Sequence, residues 1–418
     1  MTDTILHDLR IPRSLVADPA RFGGRPEGEF LRGDLVLRAG RAVALGVPAG
    51  AVPGPDTTGL GGRIVLPRLV EAHCHLDKCF TAARLDLGGW DLPAAIAAQA
   101  ADKVNWTPAD IRARAERGLA ELVAAGCRAV RSHVDWGTPD DPWAEPAAWP
   151  VLCELRQDWA DRIEVQLSIL PDIAAWADPA RAVGLARRLA RDGGVAGAFV
   201  LGQPQRAEGL RHAFDLAAQF GLALDFHTDE GLAPDLDGLD LIAAEAQRTG
   251  FQGPVLSGHA CSLMNSTGDS LHRRIEAVAR AGLAVVGLPA TNLMLQGRTQ
   301  GTPDRRGVTR LRELRAAGVK VAVATDNVGD AFFPTGRHDP LAALALAVPA
   351  AHLDPPLARW LPMVTSAAGQ ALGLAPLHID GARADDLWLA DATDTGTLLA
   401  LPPQARQPLT QLLTKAAA

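Results

Sequence analysis

Tyrosine is missing from all 418 residues, and lysine occurs at Lys78, Lys103, Lys320 and Lys415 alone although 41 residues are basic. The five cysteines, Cys74, Cys79, Cys127, Cys153 and Cys261, form no C-x-x-C pair, which excludes a disulfide framework and a structural zinc knuckle. No stretch approaches the roughly 18 unbroken apolar residues of a membrane span. The net charge of −7 and the lack of any Lys/Arg block remove the electrostatic footprint of a nucleic-acid binder. The start, MTDTILHDLRIPRS, puts Asp3, Asp8 and Arg10 where a secretory signal needs an apolar core, so a cytoplasmic protein with reduced thiols is expected.

What is present is a chain 48% hydrophobic and 21% charged, close to a soluble globular average and long enough for one large domain with an appendage. No internal repeat is visible, but short aliphatic runs alternate with long Ala/Leu/Arg stretches of helical period, the pattern of parallel strands crossed by helices. Strand-like runs fall near residues 67–75, 128–133, 163–170, 195–201, 222–227, 255–259, 283–288 and 321–326. Helical candidates between them include 107–125, 179–191, 207–219, 237–249 and 309–317. Eight such units over about 310 residues predict a (β/α)8 TIM barrel with insertions.

The flanks differ from this body. Residues 1–66 hold short runs, 30–39 and 41–47, between Gly and Pro, and the tail from 376 offers one comparable run, 386–390, with no convincing closing strand over 398–418. The expected organisation is a small β-sandwich unit built from both chain ends, 1–66 and 376–418, around a barrel over 67–375.

In such a barrel the carboxyl ends of the strands carry the chemistry. The first strand ends in His73-Cys74-His75, and residues two apart on an extended chain point to one side, so both imidazoles can reach one ion. The fifth ends in His227-Thr228-Asp229-Glu230, the sixth in Gly258-His259 and the eighth in Thr325-Asp326-Asn327. Nitrogen and carboxylate donors together suit Zn²⁺ or Fe²⁺. Each piece has a plainer explanation as well: an H-x-H at the surface, a core histidine donating to a carbonyl, or an Asp capping the next helix. Four strand ends in order, each with a ligand-type residue and a following loop, favour a site.

With these residues the sequence resembles the amidohydrolase superfamily, and within it the cytosine deaminase group. Further matches are His75-Leu76-Asp77, the run from Val130 to Asp135, the H-x-x-E of His227 to Glu230, the run from Asn292 to Arg298, and Asp326-Asn327-Val328 with Phe333-Pro334 and Gly336. The resemblance implies that His73, His75, His227 and Asp326 bind a single divalent metal, that Glu230 shuttles protons, and that His259, with Asp326, steers the attacking water. Many superfamily members hold two metals on a carboxylated lysine of the fourth strand; none of the four lysines lies near that strand, so one ion is expected. The zinc deaminase fold with H-x-E and P-C-x-x-C motifs is excluded by the cysteine pattern.

The implied activity is hydrolytic deamination of an amino-substituted N-heterocycle, a cytosine-like pyrimidine, triazine or related ring, with hydroxide made available by the metal and ammonia released. Hydrolysis of a cyclic amide or an N-alkylamino heterocycle, and a non-catalytic barrel, are the competing readings. A small N-heterocycle is the expected partner, with nucleic acid and membrane excluded and homo-oligomerisation left open. Departures from the group concern substrate. Where its third strand usually ends in Pro-Gln this chain has Pro171-Asp172; an ionised Asp only accepts hydrogen bonds, which points to a ligand showing N-H groups, unless Asp172 merely starts the next helix. Asn327, Phe332 and Met294 also stand at altered positions, so Asp172, Asn327 and Phe332 are the expected substrate contacts.

Overall fold

The computed structural model describes residues 3–46 and 59–416. In chain order its strands are β1 Thr4–Pro12, β2 Arg25–Glu27, β3 Phe30–Arg38, β4 Arg41–Leu45, β5 Arg63–Pro67, β6 Leu69–Cys74, β7 Cys127–Asp135, β8 Glu164–Leu170, β9 Ala196–Val200, β10 Leu224–Thr228, β11 Val255–His259, β12 Ala284–Gly287, β13 Lys320–Val323, β14 Leu387–Ala390 and β15 Arg406–Pro408. Among the described residues no helix is long and apolar enough to cross a membrane.

The two chain ends meet in one seven-stranded sheet, ordered β15-β14-β5-β1-β3-β2 with β4 on β3. Residues 30–39 and 41–47 of the sequence reading correspond to β3 and β4, and Val47 lies outside the described residues. Leu9, Ile11, Leu35 and Ile64 are fully buried under this sheet, which gives these short strands a core. The tail does contain a closing strand, contrary to expectation: β15 pairs antiparallel with β14, from Trp388↔Pro408 to Ala390↔Arg406. Three residues reading Arg-Gln-Pro show no alternation to recognise, and Pro408 is tolerated because the strand is an edge.

β6 to β13 are all parallel, in sheets ordered β6-β7-β8 and β13-β12-β11-β10-β9. Parallel bridges Ser168↔Val195 and Asp172↔Phe199 connect β8 with β9, and Cys74↔Asp326 connects β6 with the segment after β13. These strands coincide with the eight sequence runs to within a few residues. The largest difference is at the eighth, whose ladder stops at Val323, because Asp326 turns out of it at φ +61°. Burial on both faces explains the near-continuous apolar runs: every residue of β6, β10, β11 and β12 is buried.

Helices lie where the periodicity puts them, at Pro108–Ala124, Pro179–Asp192, Arg206–Phe220, Gly238–Thr249 and Leu311–Ala316. Thr107 and Asp178 accept from the N–H groups of Asp110 and Arg181, and a proline follows each as the first helical residue, so these starts are written locally. The helix Pro179–Asp192 ends on Gly193 at φ +65°, a left-handed cap that a Cβ would penalise.

One buried polar network crosses the strands beneath the carboxyl ends. Arg131 on β7 donates to Asp225 Oδ2 on β10 at 2.9 Å, to Gln166 Oε1 on β8 at 2.6 Å and to the Leu372 carbonyl at 3.2 Å. Asp225 also faces His133 Nε2 at 3.2 Å. Burial would raise the Asp225 carboxyl, but His133 and Arg131 hold it down at about 2. Removing one partner strands a buried charge. Arg131→Met is therefore expected to lower stability by about 3–5 kcal/mol, with Arg131→Met/Asp225→Asn recovering part of it, both read from urea midpoints.

Candidate metal and catalytic site

His73 and His75 stand at the end of β6, His227 at the end of β10, and Asp326 just past β13; all four are buried. Asp326 is fixed by its N–H on the His73 carbonyl at 2.9 Å, and the preceding Thr325 N–H donates to Glu71 Oε1 of β6 at 3.1 Å. Burial pushes the Glu71 carboxyl up to about 8. Gly258 gives His73 room, since a Cβ there would sit 3.0 Å from the His73 Cε1.

The donor atoms converge. His227 Nε2 lies 3.2 Å from His73 Nε2 and 3.1 Å from His75 Nε2, while Asp326 Oδ1 lies 3.4 Å and 3.3 Å from the same two nitrogens. The Nδ1 atoms of all three histidines and both Asp326 oxygens have no hydrogen-bond partner. Burial, then neighbouring imidazoles, holds His227 well below its ordinary pKa; burial, then Lys78, takes His75 down to about 3; burial, then His133, lowers His73. Burial would raise Asp326, but the adjoining His73 and His75 rings hold it well below the usual carboxylate range.

Three neutral imidazoles turning lone pairs toward one another around an ionised carboxylate repel unless a cation lies among them. A tetrahedral ion with bonds of about 2.0–2.1 Å separates its donors by about 3.3–3.4 Å, close to the spacings here, and ligands bind in these deprotonated forms. The donor set fits a divalent metal. Among the described residues, two overlapping groups bring their ligand atoms within 4.8 Å of one another, His73/His75/His133/His227 and His73/His227/His259/Asp326.

Beside this cluster stand Glu230 and His259. His259, at φ +63°, places Nδ1 3.0 Å from Asn292 Oδ1 and Nε2 3.7 Å from Glu230 Oε2. With Asn292 Oδ1 accepting, the ring donates from Nδ1 and turns Nε2 toward the site. Burial pushes the Glu230 carboxyl up to about 7, with Asp326 adding to the rise, and its Oε1 has no partner.

These groups open on a cavity of about 190 Å³ whose lining includes His75, His227, Glu230, His259, Asp326, Asn327 and Phe332, with Trp136, Phe199 and Leu92 as apolar walls. Asn327 donates to Asp330 Oδ2 at 2.8 Å and accepts from Thr291 at 3.2 Å. Met294 instead packs in the apolar cluster around Leu295 and Phe332.

Asp172 is not brought to the cavity. It is exposed, Oδ1 accepts from the Ala174 N–H at 2.8 Å and Oδ2 from Gln203 Nε2 at 3.0 Å. The plainer alternative, a residue opening the next helical turn, describes it, and its two oxygens are committed to the β8 and β9 loops.

Residues that sequence reasoning did not single out also line the wall: Lys78, Gln99, Lys103 and Asp135. His133 is a further omission, its ring centroid 3.9 Å from that of His73. The available signals were the short walk from His75 to Lys78 and the presence of His133 and Asp135 two apart at the end of the second barrel-type strand.

Comparison with known proteins places the chain in a family. A model of the amidohydrolase family matches residues 165–385. A pterin deaminase of Rhizobium rhizogenes is 34% identical over 372 residues, 88% of this chain and 83% of that enzyme. The crystal structure of 5-methylcytosine deaminase from Klebsiella pneumoniae, liganded with 5-fluorocytosine, superposes with a TM-score of 0.77 at 26% identity, covering 95% of this chain and 93% of that one. N-isopropylammelide isopropylaminohydrolase from Burkholderia multivorans shares the fold, with a TM-score of 0.71 at 24% identity over 97% and 98% of the two chains. A family model spanning over half the residues and a relative aligned along most of the chain establish that this protein belongs to the amidohydrolase family.

Proposed function

We propose that the protein is a metal-dependent aminohydrolase that removes the amino group of an N-heterocycle as ammonia. The observation that carries this reading is the convergence of the three Nε2 atoms and Asp326 Oδ1 next to a buried, partnerless Glu230 oxygen in an aromatic-walled cavity. The similarity to the pterin deaminase supports the substrate class, an aminated ring. In this reading β6 to β13 form a closed (β/α)8 barrel over residues 67–375, and the sheet of the two ends, 1–66 and 376–418, is a small β-sandwich unit beside it.

His73, His75, His227 and Asp326 would hold one divalent ion, Zn²⁺ or Fe²⁺ by the mixed nitrogen and carboxylate donor set. When bound, such an ion lowers the pKa of a coordinated water toward neutrality. The remaining work falls to side chains. Asp326 and His259 Nε2 are placed to accept the proton of the attacking water. Glu230, pushed up to about 7, carries a proton in a substantial fraction of molecules at neutral pH and in that form gives it to a ring nitrogen as the carbon bearing the amine is attacked. Proton return to the amine lets ammonia leave, so water is consumed and the ring gains a carbonyl. Trp136, Phe199 and Phe332 flank the flat ring and exclude bulk water, and the Asn292 contact keeps His259 in one tautomer.

The same groups would serve an N-alkylamino ring or a cyclic amide with a different leaving group. Measuring ammonia, alkylamine and ring-opened acid separately across a panel of heterocycles decides among them, and ammonia is the expected product. Glu230→Gln is expected to cut kcat by about 10²–10⁴-fold while the metal content per chain, read by elemental analysis, stays unchanged. His227→Ala is expected to weaken metal retention by at least about 10–100-fold, read by competition with a chelator; full retention would remove His227 from the ligand set.

A further inference from the structure

One pair of cavity-wall residues has no part in the chemistry described above. Lys78 Nζ donates to Asp135 Oδ1 at 3.0 Å, and both side chains line the cavity with Trp136 and Phe332. Lys78 is buried, and its ammonium sits 4.3 Å from the centroid of the Phe332 ring. The pair is held in place from behind, where the Asp135 N–H donates to Asp77 Oδ2 at 2.8 Å.

Both members keep hydrogen-bonding capacity to spare. An ammonium has three protons, and Asp135 takes one of them. Asp135 Oδ2 accepts no hydrogen bond among the described residues, whereas Oδ1 faces Lys78. An ion pair with Lys78 buried and Asp135 half-buried carries a desolvation cost, and its unused donor and acceptor are satisfied when a ligand supplies the complementary groups. A donor and an acceptor side by side match a ring edge that shows the reverse order, a carbonyl next to an N–H. The aromatic walls fit the faces of such a ring, leaving its edge to the ion pair.

We infer that Lys78 and Asp135 read a lactam edge of the substrate, Lys78 donating to a ring carbonyl and Asp135 accepting from the adjacent ring N–H. The substrate class is thereby narrowed to amino-oxo heterocycles, and the edge-reading role expected of Asp172 belongs to this pair. The inference rests on the aminohydrolase reading for its substrate but not for its binding edge.

The test uses full-length zinc-loaded protein and matched rings: pterin against 3-methylpterin, whose lactam nitrogen is blocked, and isocytosine against 2-aminopyrimidine, which lacks the carbonyl. Ammonia release gives kcat/KM, and calorimetric titration of Glu230→Gln protein gives Kd without turnover. Blocking or deleting the lactam is expected to cost at least about 100-fold in both. Lys78→Met should shrink that gap below about tenfold, while Asp172→Ala leaves it as in the parent. Matched rings within about threefold of each other in the parent protein, or an undiminished gap in Lys78→Met, overturn the inference, and the ligand series decides even if Lys78→Met does not fold. Lactam-selective binding with ammonia from no ring would uphold the edge and dismiss the aminohydrolase reading.

Discussion

Three imidazole nitrogens and a carboxylate oxygen facing one another in a dry pocket form an arrangement that repels itself without a positive charge at its centre. The surrounding structure is organised to hold that frustrated geometry. The His73 carbonyl receives the Asp326 N–H, Glu71 receives the Thr325 N–H, and His133 packs against the His73 ring. Each contact joins an element of the first parallel strand to another strand or the segment after one, so the donors are set by one backbone tie and two buried side-chain contacts.

The Arg131, Asp225, Gln166 and His133 network lies one layer below and links three strands. Its charges are costly to bury and bring little net stability against an apolar layer. What they supply is placement: Asp225 is two residues before His227 on β10, and the pleat turns both side chains the same way. Fold and site are continuous here, since the residue that fixes strand β10 against β7 shares a face with His227.

Much of this was legible in the chain. Parallel strands buried on both faces leave unbroken aliphatic runs, and helices capped by Thr107 and Asp178 announce their own starts, so the alternation of elements could be read to within a few residues. His73, His75, His227, His259 and Asp326 were visible because strand ends carry function in this architecture. Asp172 could be left only as one of two alternatives, because a carboxylate after a strand serves a loop or a ligand equally well, and the choice depends on where Gln203 lies in space. Lys78 and Asp135 were given no role in the site since a lysine and an aspartate 57 residues apart give no sign of pairing until β6 and β7 are laid side by side. The closing strand β15 was too short to show a period.

The order of the donors along the chain has a consequence for biogenesis. His73 and His75 emerge from the ribosome early, but Asp326 follows about 250 residues later, after seven further strands. A half-made polypeptide therefore presents two of the four candidate donors without the carboxylate that completes the set. The full set of four exists only once the last of the parallel strands has been made, so the cluster is completed late in synthesis and does not nucleate the fold.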